Sequence, residues 1–245
     1  MHLLIPFASA LTEPARHVLS DLRLPALAAL LGSLTPTQRD EADEYSLSAP
    51  HERALARAWG WPFIDGRLPF AAHAAASDGI DVGALAWGLL TPVHWDVGRD
   101  HVMLTDPHAL LLDEPESRAL FEAVRGLFES EGFTVAWGAP SRWYAAHESL
   151  AELPCASLDR VIGRNLDPWL RGDAKASAAA RLVSRLQSEV QLLLYPHPIN
   201  ETREERGALT VNSFWLSACG RHIAADEVAV QVDTGLRATL LVIDW

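Results

Sequence analysis

Short apolar runs alternate with stretches of helical periodicity along most of this chain, and this alternation constrains its fold most strongly. Helical stripes lie at residues 22–34, 114–131 and 176–195, and another helix is predicted to begin at Ser48-Ala49-Pro50 and to end at Gly60. Runs typical of strands lie at residues 3–6, 133–137, 211–216, 227–232 and 238–243. Together they predict an α/β protein whose mixed sheet is covered by helices.

A β-hairpin is predicted between Trp87 and Leu104, with residues 87–95 in one arm and a turn at residues 96–100. A chain of 245 residues is long enough for one large domain or two small ones. Linker-like composition is confined to residues 170–179. We therefore expect one α/β unit over residues 1–245, with a division into two lobes near residues 170–179 as the alternative.

Composition excludes several classes of partner. The net charge of −12 argues against a nucleic-acid binder and against docking on anionic membranes. The apolar runs are also shorter than the roughly 20 residues that a bilayer requires. The N-terminus has no basic segment of a signal peptide, and Cys155 and Cys219 lack CxxC spacing. We expect a cytoplasmic protein with two inert, buried thiols.

Catalytic signatures are weak in this sequence. The motifs GxxxxGK[ST], GxGxxG, GxSxG and HExxH are all absent. Ser46 and Ser48 lie in an acidic, turn-like stretch before a helix and are candidates for a nucleophile, which would need a base or a metal ion. The alternative favoured for Ser48 is the N-cap of that helix.

A metal site is a second alternative. The potential ligands surround the predicted hairpin and are His94, Asp96, His101, Asp106 and His108. Such ligands would have to converge within about 2.0–2.2 Å of a divalent ion such as Mn²⁺, Zn²⁺ or Mg²⁺. A turn rich in Asp and Gly with surface histidines explains the same pattern, and we expect no metal or other cofactor.

The densest polar cluster follows the last long helix and is the predicted ligand site. Its members are His197, Asn200, Arg203, Arg206 and Asn212, and Arg142 is added as a second anchor. Arginines three residues apart can clamp a phosphate or carboxylate. The alternative is structural: Asn200 caps, the arginines pair with neighbouring glutamates in solvent, and Asn212 satisfies a buried backbone group.

Several long stretches resemble the RpfE-type regulatory proteins of proteobacteria. They are residues 51–58, 87–95, 142–150, 158–165, 185–200 and 211–221. This resemblance covers most of the chain as far as Arg221 and implies a bacterial regulatory protein. The tail that follows Arg221 fits the family poorly.

A weaker resemblance concerns the archaeal-type cofactor-independent phosphoglycerate mutases of the alkaline phosphatase superfamily. The first apolar run with residues 24–30 is similar to that family's first strand and helix, and His197-Pro198-Ile199-Asn200 with Arg203 is similar to its His-Pro-x-Asn-x-x-Arg segment. In the family, a metal-binding Asp-Gly follows the first strand, whereas Phe7-Ala8 stands here. The region of the remaining Asp and His ligands has no counterpart before Trp245.

The resemblance implies a partial phosphoglycerate-mutase-like fold without its metal centre. Without divalent cations, nothing would neutralise the oxygens of a transferring phosphoryl group. We therefore expect a non-catalytic regulatory protein, a pseudoenzyme that binds a small phosphorylated or carboxylated metabolite. The alternatives are a metal-dependent phosphotransferase or phosphatase and a protein–protein interaction module.

Overall fold

The computed structural model describes residues 13–33, 40, 43, 45–99, 101–170 and 177–223. Three of the predicted strands, at residues 3–6, 227–232 and 238–243, lie outside the described residues. Most of the stretch of linker-like composition also lies outside them.

The described residues form six strands and nine α-helices. The strands are β1 (Ala86–Val93), β2 (Trp95–Val97), β3 (Val102–Leu104), β4 (Thr134–Ala139), β5 (Arg142–Ala146) and β6 (Ser213–Arg221). The helices are α1 (Glu13–Asp21), α2 (Pro25–Gly32), α3 (Pro50–Ala58), α4 (Phe70–Ser77), α5 (Glu114–Ser130), α6 (Leu158–Val161), α7 (Asp167–Leu170), α8 (Ala178–Leu194) and α9 (Pro198–Glu205).

Helices cover both faces of a four-stranded antiparallel sheet with the order β4-β5-β1-β6. On one face, Leu90 and Trp143 pack with the apolar stripes of α5 and α8. On the other face, Trp87 and Tyr144 pack with α3 and α4. The strand β1 is buried along its whole length because it lies between β5 and β6 and has helices on both sides. The predicted α/β architecture with a helix-covered sheet is confirmed, but the strands of this described sheet pair antiparallel, whereas a mixed sheet was predicted.

Capping residues, proline and glycine mark the ends of several helices. The Asp113 side chain accepts a hydrogen bond from the backbone N–H of Glu116 and caps α5, and Gly132 follows that helix with a φ of 83°. The helix predicted over residues 22–34 begins only at Pro25, because proline fits the first turn of a helix but not its interior.

The predicted hairpin is partly wrong. Trp95 pairs with Leu104 and Val97 with Val102, so the two arms are only three residues long. Residues 87–93 belong instead to β1, whose two edges are already paired with β5 and β6. None of the helices in the described ranges is long and apolar enough to cross a membrane.

Candidate functional site

A cleft of about 420 Å³ opens between α8, α7, the start of β6 and the loop at residues 153–156. Its volume lies within the range of roughly 300–1,000 Å³ that is typical of small-molecule sites. The cleft is lined by aromatic side chains and by uncharged polar side chains of α8. It is therefore the candidate functional site of the described structure.

Three tryptophans and one tyrosine form the aromatic part of the lining. Trp95 begins β2, Trp169 lies in α7 and Trp215 lies in β6. The indole N–H of Trp215 donates to the carbonyl of Ala156 at 2.9 Å, which fixes the loop against the strand. The rings of Tyr45 and Trp169 lie with their centroids 6.2 Å apart. The guanidinium of Arg164 lies 4.7 Å from the centroid of the Trp169 ring, so a flat ligand can stack only on ring faces that this side chain leaves uncovered.

Two of these indoles carry unused donors. The Nε1 atoms of Trp95 and Trp169 are buried and have no hydrogen-bond partner among the described residues. A buried donor without a partner costs about 1–3 kcal/mol.

The polar part of the lining comes from one side of α8. The residues are spaced three, four and seven positions from the first, so they share a helix face: Ser184, Gln187, Ser188 and Gln191. Gln187 is buried, and its amide donates to the carbonyl of Phe214 at 3.3 Å. This hydrogen bond ties α8 to β6 beside the cleft, while the hydroxyls of Ser184 and Ser188 lie in exposed positions.

The described lining contains no carboxylate, imidazole, amine or guanidinium group. Among the described residues that line the cleft, only Tyr45 and Cys155 have titratable side chains. General acid–base catalysis at neutral pH usually depends on histidine or on a carboxylate, and neither is found here. The aromatic rings and uncharged hydrogen-bonding groups of the described lining suit the binding of an uncharged, flat molecule.

The structure gives the candidate serines structural partners. The hydroxyl of Ser46 donates to a backbone carbonyl three residues earlier, at 3.1 Å. The hydroxyl of Ser48 accepts from the N–H of Gly66 at 2.8 Å. The prediction that Ser48 caps α3 is wrong, because Ala49 precedes that helix and donates its own N–H to the carboxylate of Glu52 at 2.6 Å. Neither serine is hydrogen-bonded to a base within the described residues.

The sequence analysis missed a cluster of buried ionisable side chains beside Ser48. His51 Nε2 lies 2.9 Å from Asp159 Oδ2, and both side chains are largely buried. Burial raises the pKa of the neighbouring Glu52 to about 7. The adjoining cavity measures about 10 Å³ and has room for about one water molecule. Glu52 in the third helical position is the capping signature that could have revealed part of this network.

The predicted arginine clamp is replaced by a buried ion-pair network. Arg203 is fully buried, and its Nε donates to the carbonyl of Leu209 at 2.6 Å. Its two terminal nitrogens bind Glu116 and the carbonyl of Leu110. Arg206 binds the other oxygen of Glu116. Arg203 is not available to clamp a ligand, because it donates to three protein acceptors and faces the interior. The two arginines share one carboxylate, which comes from the start of α5.

The other members of the predicted ligand cluster also hold the chain together. Asn200 is buried and hydrogen-bonds to backbone groups at the end of α8 and just before β6. The amide of Asn212 binds both the N–H and the carbonyl of Trp95, as the structural alternative expects. His197 precedes α9, and its Nδ1 accepts the N–H of Ile199 at 3.3 Å.

Arg142 begins β5 and contacts a different part of the fold. Its guanidinium binds Asp78 at the end of α4 at 2.8 Å, and the Tyr144 hydroxyl donates to the same carboxylate at 2.7 Å. These bonds join the sheet to α4. The structure therefore gives Arg142 a partner of its own, apart from the cluster at residues 197–212.

The proposed metal ligands do not form a cluster. His94 Nδ1 binds the carbonyl of Thr210 at 2.8 Å, and Asp106 accepts the backbone N–H of His108 at 2.9 Å. Asp96 and His101 are exposed. Throughout the part of the chain that the structure describes, no three His, Cys, Asp or Glu side chains are placed to hold a metal ion.

Comparisons with known proteins include a distant structural likeness. No model of a protein family and no curated protein matches the chain, so the resemblance to RpfE-type proteins has no support from them. Among solved structures, the chain is similar to the cofactor-independent phosphoglycerate mutase from Thermoplasma acidophilum DSM 1728, with a TM-score of 0.38 and 16% identity. The match covers 63% of this chain and 47% of that chain, so this chain spans about half of that structure.

Proposed function

We propose that this chain is a non-catalytic regulatory protein that binds a small uncharged molecule in the cleft between α8 and the three tryptophans. The observation that carries the proposal is the composition of that lining. Its described residues combine aromatic rings with hydroxyls and amides, and none of them has a charged side chain. The sequence leads us to expect a regulatory role. Among the roles expected from the sequence, this one fits a binding site without catalytic groups best.

The ligand class differs from the sequence expectation, for an electrostatic reason. A phosphate or carboxylate taken out of water needs a cation or several donors, because burying an unpaired charge is very costly. The expected cations, Arg203 and Arg206, bind Glu116 instead. The described lining of the cleft supplies no replacement. The preferred ligand is therefore uncharged.

The shape and polarity of the cleft define the ligand further. A volume of about 420 Å³ accommodates a fused heteroaromatic molecule of two or three rings. The ring faces would stack on Trp169 or Trp215, and ring carbonyls and N–H groups would bind the amide of Gln191 and the hydroxyl of Ser188. Stacking contributes about 0.5–1.5 kcal/mol beyond the burial of area.

A titration with lumichrome, an uncharged three-ring heteroaromatic dye, tests the proposal. We expect saturable quenching of the dye by the full chain. Ser188→Trp places an indole in the cleft from an exposed position and weakens binding at least about tenfold, which is about 1.4 kcal/mol. The matched control Leu192→Trp lies on the same helix at a residue 76% exposed and outside the cleft, and it leaves binding unchanged.

The same titration separates the two ligand classes. Excess inorganic phosphate or 3-phosphoglycerate is expected to leave the bound dye in place. Displacement by either anion would show that the site accepts charged ligands, which contradicts the proposed ligand class. Equal binding by the Ser188→Trp and Leu192→Trp variants would show that the dye does not bind in the cleft.

A further inference from the structure

The two cysteines of the chain are far apart in sequence and adjacent in the fold. Cys155 lies in the loop before α6, and Cys219 lies in β6, 64 residues later. Their sulfur atoms are 3.5 Å apart, within hydrogen-bonding distance for thiols. No other cysteine is present in the sequence. The spacing that excluded a CxxC motif therefore did not exclude a thiol pair.

Close packing holds both thiols in place. The backbone N–H of Cys155 donates to the carbonyl of Gly66 at 2.9 Å, which anchors the loop. Cys219 packs against Gly88 of β1, where an added Cβ would lie 3.0 Å from the sulfur. Glycine at this position leaves the room that the sulfur occupies. The pair is thus part of the packed interface between the loop and the sheet.

The two sulfurs differ in their access to solvent. Cys155 is half-buried and lines the 420 Å³ cleft, whereas Cys219 is 1% exposed. The hydrogen bond with Cys155, together with burial, raises the pKa of the Cys219 thiol above its usual value. A small reagent entering the cleft therefore meets Cys155 first, and Cys219 stays protonated behind it.

We propose that Cys155 and Cys219 are an oxidisable thiol pair, in which Cys155 reacts with a hydroperoxide from the cleft and Cys219 then closes a disulfide. The proposal is independent of the function proposed above.

The reaction has two steps. In the first, the Cys155 thiolate attacks one peroxide oxygen, so that an S–O bond forms, the O–O bond breaks and the leaving hydroxide becomes water. In the second, the Cys219 sulfur attacks the sulfenic acid, so that an S–S bond forms, the S–O bond breaks and water leaves with the Cys219 proton. The two thiols lose two electrons in total, and hydrogen peroxide is reduced to two water molecules.

Disulfide formation needs only a small movement. The sulfur atoms must approach from 3.5 Å to about 2.05 Å, a change of about 1.5 Å. This movement pulls the loop at residues 153–156 toward β6, and both elements line the cleft. The bond would therefore lock one wall of the cleft to the central sheet.

Intact mass spectrometry of the folded full-length chain treated with hydrogen peroxide tests the pair. We expect the loss of two hydrogen masses, no free thiol after unfolding in iodoacetamide, and a cross-linked peptide that contains Cys155 and Cys219. Dithiothreitol should restore both thiols. Two single substitutions separate the roles of the sulfurs. In Cys219→Ser, oxidation of Cys155 stops at a sulfenic acid that dimedone traps, and in Cys155→Ser the buried Cys219 remains unmodified.

Three results would overturn the proposal. One is a wild-type protein in which Cys155 gains two oxygens while Cys219 remains a thiol. Another is dimedone trapping in the wild type as complete as in Cys219→Ser. The third is the absence of a disulfide within one chain when peroxide is in excess over the folded protein.

Discussion

The buried carboxyl of Glu52 gives the fold a defined dependence on pH. Glu52 is 4% exposed, and burial raises its pKa from 4.5 to about 7. Between pH 4.5 and pH 7 the folded protein keeps a proton that the unfolded chain releases. The free energy of unfolding therefore falls as the pH rises through this window. A pKa difference of about 2.5, at 1.36 kcal/mol for each pKa unit, corresponds to about 3 kcal/mol.

The substitution Glu52→Gln removes this dependence and keeps an oxygen that accepts the N–H of Ala49. Relative to the wild type, the variant should gain about 3 kcal/mol of unfolding free energy between pH 4.5 and pH 8. Urea unfolding at both pH values measures this difference, and the other titrating groups cancel in the comparison. Glu205→Gln, at an exposed position, is the matched control.

If Glu52→Gln leaves the pH dependence of the free energy of unfolding unchanged, the reasoning is refuted. A stability difference between variant and wild type that is the same at pH 4.5 and pH 8 would mean that Glu52 ionises in the folded protein as it does in the unfolded chain. A control variant with the same pH response as Glu52→Gln would have the same meaning.

Two further predictions concern packing. Glu116→Ala leaves the buried Arg203 without its carboxylate and should lower the free energy of unfolding in urea by about 3–5 kcal/mol. Arg206→Ala, at a half-exposed partner, should lower it by at most about 1 kcal/mol. Equal losses for the two variants would contradict the network. Gly66→Ala should destabilise the protein by about 1–3 kcal/mol, because φ is +74° and the new Cβ would lie 2.5 Å from a side-chain carbon. Gly32→Ala meets no atom within 4 Å and should not destabilise the protein, so a loss as large as that of Gly66→Ala would show that the strain argument is wrong.

Signals that act within one turn of the chain could be read from the sequence. Asp113 caps α5 through the N–H of a residue three positions later, and the start of α3 follows from Pro50. The apolar stripe of α8 likewise predicts its buried face, as at Leu186 and Val190. These features depend on neighbours in sequence, so no knowledge of the tertiary structure is needed.

Partners distant in sequence could not be predicted in the same way. Arg203 was expected to bind a ligand, but its carboxylate partner Glu116 lies 87 residues earlier and is brought near it by the packing of α9 on α5. The cleft likewise combines Trp95, Trp169 and Trp215 from separate elements. Periodicity shows which face of an element is apolar, but it does not show which elements meet.

The indole N–H resonances in an ¹⁵N–¹H correlation spectrum provide the most direct test of the cleft as the binding site. On addition of lumichrome, we predict concentration-dependent shifts of the signals of Trp95, Trp169 and Trp215. The signals of Trp59 and Trp137, which lie outside the cleft, should stay in place. Shifts confined to Trp59 and Trp137, or no shift of any indole signal at saturating dye, would contradict the account.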